Sequence, residues 1–205
     1  MGLDMYLYRI TRISTTEQRK LRGKTEKEIY DSGYSLFYRP RNKDDERLIK
    51  YIKPYLRGIK ISQEYFDMEK IRQDFKIPKT YLQCGSSYAG NGDVSLTFTS
   101  RDCQDSKKAS FNTNKNPEYI LTKLTNCYVC KEREIGYWRK NYDLQEELYR
   151  EASYGGVEIE NCGYYPLNDG MTRAILRDKW EYSDKVQRED LWDDNNSIVC
   201  YHEWY

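Results

Sequence analysis

Leu3, Met5 and Leu7 alternate with Asp4, Tyr6 and Tyr8, the period-two pattern of a strand that buries one face and opens the fold. Residues 14–35 are polar, contain Gly23 and Gly33, and read as a charged excursion without a clear period. A short helix is expected over 44–52, halted before Pro54. Ser62 is suited to cap a helix running to Phe75, in which Tyr65, Met68, Ile71 and Phe75 share one face and after which Pro78 breaks the chain. Val94, Leu96 and Phe98 alternate again. With 81–84 and the positive-φ pair Asn91-Gly92 they predict a hairpin. Residues 100–117 read as a polar loop. A strand is predicted over 124–130, then a helix from 132 to 152 with Ile135, Trp138, Tyr142, Leu148 and Tyr149 near one face, closed by Gly155-Gly156. Residues 157–165 should be extended. Asn168 should cap a last helix with a stripe of Met171, Ile175, Leu176 and Val186, and the DDNN turn at 193–196 should lead to a final strand over 197–205. Helices and strands are mixed without a βαβ rhythm. This predicts an α+β fold, a mostly antiparallel sheet with helices packed on it, in one domain with a lobe inserted at 80–127.

Composition adjusts this picture in two places. Leu, Ile, Val and Phe make up only about a fifth of the chain, near the range of disordered sequences. A net charge of +1 and the presence of 21 Tyr and 4 Trp argue instead for a folded core that leans on aromatic rings. No apolar run is long enough to cross a bilayer, and the start MGLDMYLYRI lacks the basic region of a secretory signal. A cytoplasmic protein with reduced cysteines and no membrane partner is therefore expected. Basic residues are in excess before residue 100 and acidic ones after it, a balance that suits either a mild basic face for nucleic acid or an ordinary solvated surface.

Metal and catalytic chemistry find little support. Cys127 and Cys130 form a C-x-x-C, and Cys162, Cys200 and His202 lie downstream, but the NCYVCK context has no turn to bring the two thiols together. Neither a bound metal nor a cofactor is expected. His202 is the single histidine, and Glu203 beside it would point away on a strand. The acidic runs DDE at 44–46 and EDLWDD at 189–194 read as solvated turns, and GNGD at 90–93 as a hairpin turn.

Three aromatic–basic clusters carry more information. They are Tyr6, Tyr8 and Arg9; Tyr38, Arg39 and Arg41; and Tyr137, Arg139 and Lys140, with Trp138 turned to the core. Rings beside cations can stack bases and pair phosphates, or form a protein-binding patch.

The segments MGLDMYLYR, EIGYWRK, NCGYY and EWY, in this order, give the chain a resemblance to a family of small uncharacterised proteins encoded by bacteriophages and prophages. The pattern departs at NYDLQEEL, where Gln145 and Glu147 stand in place of the family's usual His and Trp. The resemblance implies a phage product acting in the bacterial cytoplasm. The leading expectation is an accessory protein that binds and modulates a host protein, inhibition of a bacterial defence system, CRISPR-based or other, being one form. The alternatives are a nucleic-acid-binding protein, and a metal-dependent enzyme on nucleic acid or nucleotides that would need Asp4 and Glu203 brought together.

Overall fold

The computed structural model describes residues 2–178, 186 and 188–204. The chain divides into two compact units, residues 1–61 with 126–205, and residues 62–125, so the second unit begins well before position 80. Mostly antiparallel sheets with helices packed on them make the fold α+β.

The first unit is built on β1 (Asp4–Thr11), flanked antiparallel by β7 (Ile120–Arg139) and β9 (Ser197–Trp204). β8 (Tyr164–Pro166) continues the sheet beyond β9, and β2 (Ser35–Tyr38) beyond β7. β3 (Arg57–Phe66) also pairs with β7, and these two strands carry the chain out of the first unit and back. Alternation on β1 turns Leu3, Met5 and Leu7 to one face. There they bury with Trp138, Val199 and Tyr201 beneath α5 (Tyr142–Tyr154) and α6 (Asp169–Arg177). On the opposite face, Ile10, Cys130, Ile198 and Cys200 are covered by Ile49, Ile52 and Leu56, which follow α3 (Lys43–Leu48). This cover reaches only part of that face. Its other part carries Asp4, Tyr6, Tyr137, His202 and Trp204.

In the second unit, β4 (Leu82–Tyr88), β5 (Asp93–Thr99) and β6 (Ser106–Asn112) form a meander beside α4 (Met68–Asp74). The predicted hairpin is β4–β5, with Gly92 at φ +88° in its turn. Val94, Leu96 and Phe98 pack with Ala109, Phe111, Ile71 and Ile77.

Four expectations need correction. Residues 14–35 are not shapeless. They hold α1 (Thr15–Leu21) and α2 (Glu26–Asp31), each opened by a capping box, Ser14/Glu17 and Thr25/Glu28. Ser62 lies within β3, where Ile59 and Ile61 alternate into the core, and Asp67 is the residue that caps α4. The polar stretch after 100 contains β6, whose two buried positions, Ala109 and Phe111, give too short an alternation to read. Residues 132–139 continue β7 as a strand, and the helix starts only at Tyr142. Opposite β1 the register jumps from the Leu7–Gly136 pair to the Tyr8–Glu134 pair, leaving Ile135 as a bulge. A bulge resets the side-chain alternation. Ile135 and Trp138 therefore reach the same core with helical spacing although both are in a strand.

Among the last helix's stripe, Met171 and Ile175 are buried and Leu176 is exposed. Positions 179–185 and 187, between that helix and the last strand, lie outside the described residues. No helix among the described residues is long and apolar enough to cross a membrane.

Candidate functional site: an aromatic sheet face

Tyr6 and Tyr8 stand two residues apart on β1, so the pleat sets them on one face. Their rings stack at 5.5 Å with 13° between planes. Cross-strand pairing adds the neighbours. Tyr137 pairs with Tyr6 from β7, its ring 5.0 Å away. His202 pairs with Tyr6 from β9, its ring 6.1 Å from Tyr6 and 5.8 Å from Tyr8. Tyr164 on β8 pairs with His202 and stacks on it at 4.6 Å, and Phe37 of β2 meets the Tyr164 edge at 5.5 Å. Trp204, opposite Asp4 and two residues beyond His202, closes this side and is 59% exposed. The bulge at Ile135 returns Tyr137 and Arg139 to the same face as Glu132 and Glu134, which a regular strand would not.

Carboxylates set the electrostatics. Tyr137 Oη donates to Asp4 Oδ1 at 2.8 Å, and Arg139 Nε lies 3.8 Å from the same oxygen. The bond to Asp4 holds the Tyr137 phenol up at about 12. Tyr164 Oη donates to Glu132 Oε1 at 2.9 Å. Burial, followed by the charge of Glu132, pushes the Tyr164 phenol up. Tyr6 and Tyr8 are raised in the same way, burial first, then Asp4 and Glu134 for Tyr6 and Glu132 and Glu134 for Tyr8. Burial lowers His202, against the Gly163 carbonyl 3.1 Å from its Nδ1 and the charges of Glu132 and Glu203. All five rings are thus neutral at neutral pH, on a face that carries three carboxylates and the Arg139 cation.

Of the three predicted clusters, Tyr6, Tyr8, Tyr137 and Arg139 come together here. Lys140 follows in the turn, at φ +57° and exposed. Arg9 points to the other face, where its guanidinium donates to the Trp192 and Asp190 carbonyls and to Ser197 Oγ. Tyr38 also turns away and donates to Glu26 at 2.7 Å. Arg39 lies 5.7 Å over the Tyr128 ring, and Arg41 is exposed, its backbone amide bound to Asp45. Tyr164, His202 and Trp204 complete the face and were not among the predicted contacts. Their signal was present in NCGYY and YHEWY, but only strand pairing shows that these segments adjoin β1. Tyr137, Tyr6, His202 and Tyr164 thus come from four adjacent strands, in the order β7, β1, β9, β8.

The other candidate chemistry separates. Asp4 and Glu203 sit on neighbouring strands but on opposite faces, because Glu203 pairs with Met5. The carboxylate pair an enzyme would need there is not formed. Cys127 packs in one core with Val129 and Leu36, while Cys130 packs in another with Cys200. No group of three or more His, Cys, Asp or Glu among the described residues is placed to hold a metal ion. In comparisons with known proteins, no family description, no curated protein and no solved structure matches this chain.

Proposed function

We propose that the protein is a binding module that docks another protein on the aromatic sheet face. In the phage setting that the sequence resemblance implies, the partner is a host protein whose activity is modulated, blocking of a bacterial defence system being one form. The observation that carries this reading is the partly exposed cluster of Tyr6, Tyr8, Tyr137, Tyr164 and His202, bordered by Trp204 and Arg139. Tyr, Trp and Arg dominate the energetics of protein interfaces, and Tyr and Trp bury much area at little entropic cost. These rings are also pre-ordered. The pleat, the cross-strand stacking and the hydroxyl–carboxylate bonds hold them before any partner arrives, which lowers the cost of association.

Charge argues against nucleic acid as the occupant. Stacked rings on a sheet can receive bases, but a phosphate backbone needs cations alongside. Here Asp4, Glu132 and Glu134 stand among the rings, and Asp4 already engages Arg139.

The test is affinity purification of the tagged protein from a bacterial host, alongside Tyr6→Ser and Trp204→Ala variants with unchanged circular dichroism. The reading expects a stoichiometric protein that the variants release. Co-eluting nucleic acid that added salt removes would transfer the face to the rival reading. A partner retained by both variants would place binding elsewhere on the molecule.

A further inference from the structure

Tyrosine–carboxylate pairs recur in this protein, and two of them are completed by a cation lying over the ring. Tyr34 Oη donates to Glu17 at 3.1 Å, and Lys131 Nζ sits 2.6 Å from Glu17 and 5.6 Å over the Tyr34 ring. Tyr119 Oη donates to Asp74 at 3.0 Å, and Lys70 Nζ sits 3.3 Å from Asp74 and 5.8 Å over the Tyr119 ring. The arrangement has a simple cause. The phenol donates to the carboxylate, the ring face is electron-rich, and one cation satisfies both.

On the aromatic face the Tyr137–Asp4 pair has its cation in Arg139. The Tyr164–Glu132 pair has none among the described residues. Glu132 accepts from Tyr164, and neither it nor Glu134 forms an ion pair among the described residues. The adjacent cations Lys131 and Arg133 belong to the other face, where they pair with Glu17 and Asp190. His202 stacks on Tyr164 but is neutral at neutral pH. Both glutamates act on Tyr8, which lies between Tyr164 and Tyr6, so their unbalanced charge falls on the ring cluster itself.

We infer that a cation for these two carboxylates is supplied by the partner protein, as an arginine side chain placed over the aromatic face and against Glu132 and Glu134. This rests on the reading of the face as a protein-docking surface and names the chemistry it accepts. Arginine fits better than lysine because a planar guanidinium stacks on a ring while its N–H groups reach two carboxylates.

The test uses N-acetyl-arginine methylamide as the probe and N-acetyl-citrulline methylamide as its uncharged analogue, titrated into the ¹⁵N-labelled full chain. Saturable shifts confined to β1, β8 and the 130–139 part of β7 are expected for the arginine compound and not for citrulline. Glu134→Gln should weaken binding about threefold to tenfold, Glu134 being exposed and without a hydrogen bond or ion pair among the described residues. Glu132→Gln, which keeps an acceptor for Tyr164, should act likewise. Equal shifts from citrulline, shifts scattered over other acidic surfaces, or an unaffected Glu134→Gln variant would overturn the inference. If the arginine probe fails while Tyr6→Ser still releases a co-purified protein, the cation is wrong and the docking face stands. If Tyr6→Ser releases nothing either, the docking face falls as well.

Discussion

The imidazole of His202 lies flat on the phenol ring of Tyr164, 4.6 Å between centroids and 26° between planes, across the β8–β9 pair. Burial, the largest influence, holds His202 below its ordinary value of 6.5, with Glu132, Glu203 and the Gly163 carbonyl opposing it. The unfolded chain therefore takes up the proton more readily than the folded one. This site contributes its full stability above pH 6.5 and loses it as the pH falls below that value toward the folded one. Urea midpoints measured from pH 7.5 to 5 should decline in the parent and be flatter in His202→Phe. Parallel curves would mean that the imidazole does not contribute in this range.

Thiol reactivity follows from the placement of the cysteines. Cys84 and Cys103 are exposed, Cys162 is half-buried, and Cys127, Cys130 and Cys200 are buried. Burial pushes the Cys130 and Cys200 thiols well up, so neither provides thiolate at neutral pH. A chromogenic disulfide reagent should titrate Cys84 and Cys103 rapidly, Cys162 more slowly, and the rest only in denaturant. Fast labelling of Cys130 in the native protein would contradict the packing of the sheet against Ile49, Ile52 and Leu56.

Gly136 faces Leu7 across the bulge, where a Cβ would meet Trp138 Cη2 and Val186 Cγ2, each at 2.9 Å. Trp138 is fully buried and its Nε1 is tied to Asp178 at 2.8 Å, so the ring has little room to shift. Gly136→Ala should cost about 1–3 kcal/mol, read from denaturant unfolding. A neutral result would show that the core around Trp138 is looser than its burial indicates.

Asn168 joins two helices through one side chain. Its Oδ1 accepts from the Met171 amide at 2.8 Å, capping α6, while its Nδ2 donates to the Glu151 carbonyl in α5 at 2.8 Å. Asn168→Asp keeps the first bond and loses the second; Asn168→Ala loses both. The alanine variant should lose about 1–2 kcal/mol and the aspartate variant less. Equal losses would assign the whole effect to the link with α5.

The sequence signalled these features unevenly, for local reasons. The alternation of β1, the Asn91-Gly92 turn, the Asn168 cap and the Gly155-Gly156 stop depend on neighbours in the chain and were legible. The capping boxes at Ser14 and Thr25 were equally local, and the S-x-x-E and T-x-x-E spacings would have revealed α1 and α2. β7 was hidden by its own bulge, because the extra residue at Ile135 imitates a helical period. Four residues of the aromatic face, Tyr6, Tyr8, Tyr137 and Arg139, were legible as aromatic–basic clusters. Tyr164, His202 and Trp204 join it only through the β8–β9–β1 pairing, a relation between distant segments that no local pattern encodes. Arg9 looked like a contact residue because it follows Tyr8. Strand parity sends it to the opposite face.

Glu203 is fully buried beneath α5, and its carboxylate accepts from Tyr201 Oη at 2.6 Å, from Gln145 Nε2 at 3.0 Å and from Tyr149 Oη. Gln145 and Tyr149, one turn apart on α5, both donate to this carboxylate. A buried acceptor shared by several donors stabilises chiefly by keeping those donors from being left unmatched. Glu203→Leu should therefore cost about 2–4 kcal/mol, while Glu203→Gln, which retains one acceptor oxygen, should cost less. Tyr149→Phe alone should cost about 1 kcal/mol. Because the two residues share one network, the Glu203→Leu/Tyr149→Phe double variant should lose less than the sum of the two single losses, by about 0.5–3 kcal/mol. Strict additivity in that cycle would show that the tyrosine and the glutamate act independently, and that the carboxylate is held by the remaining donors alone.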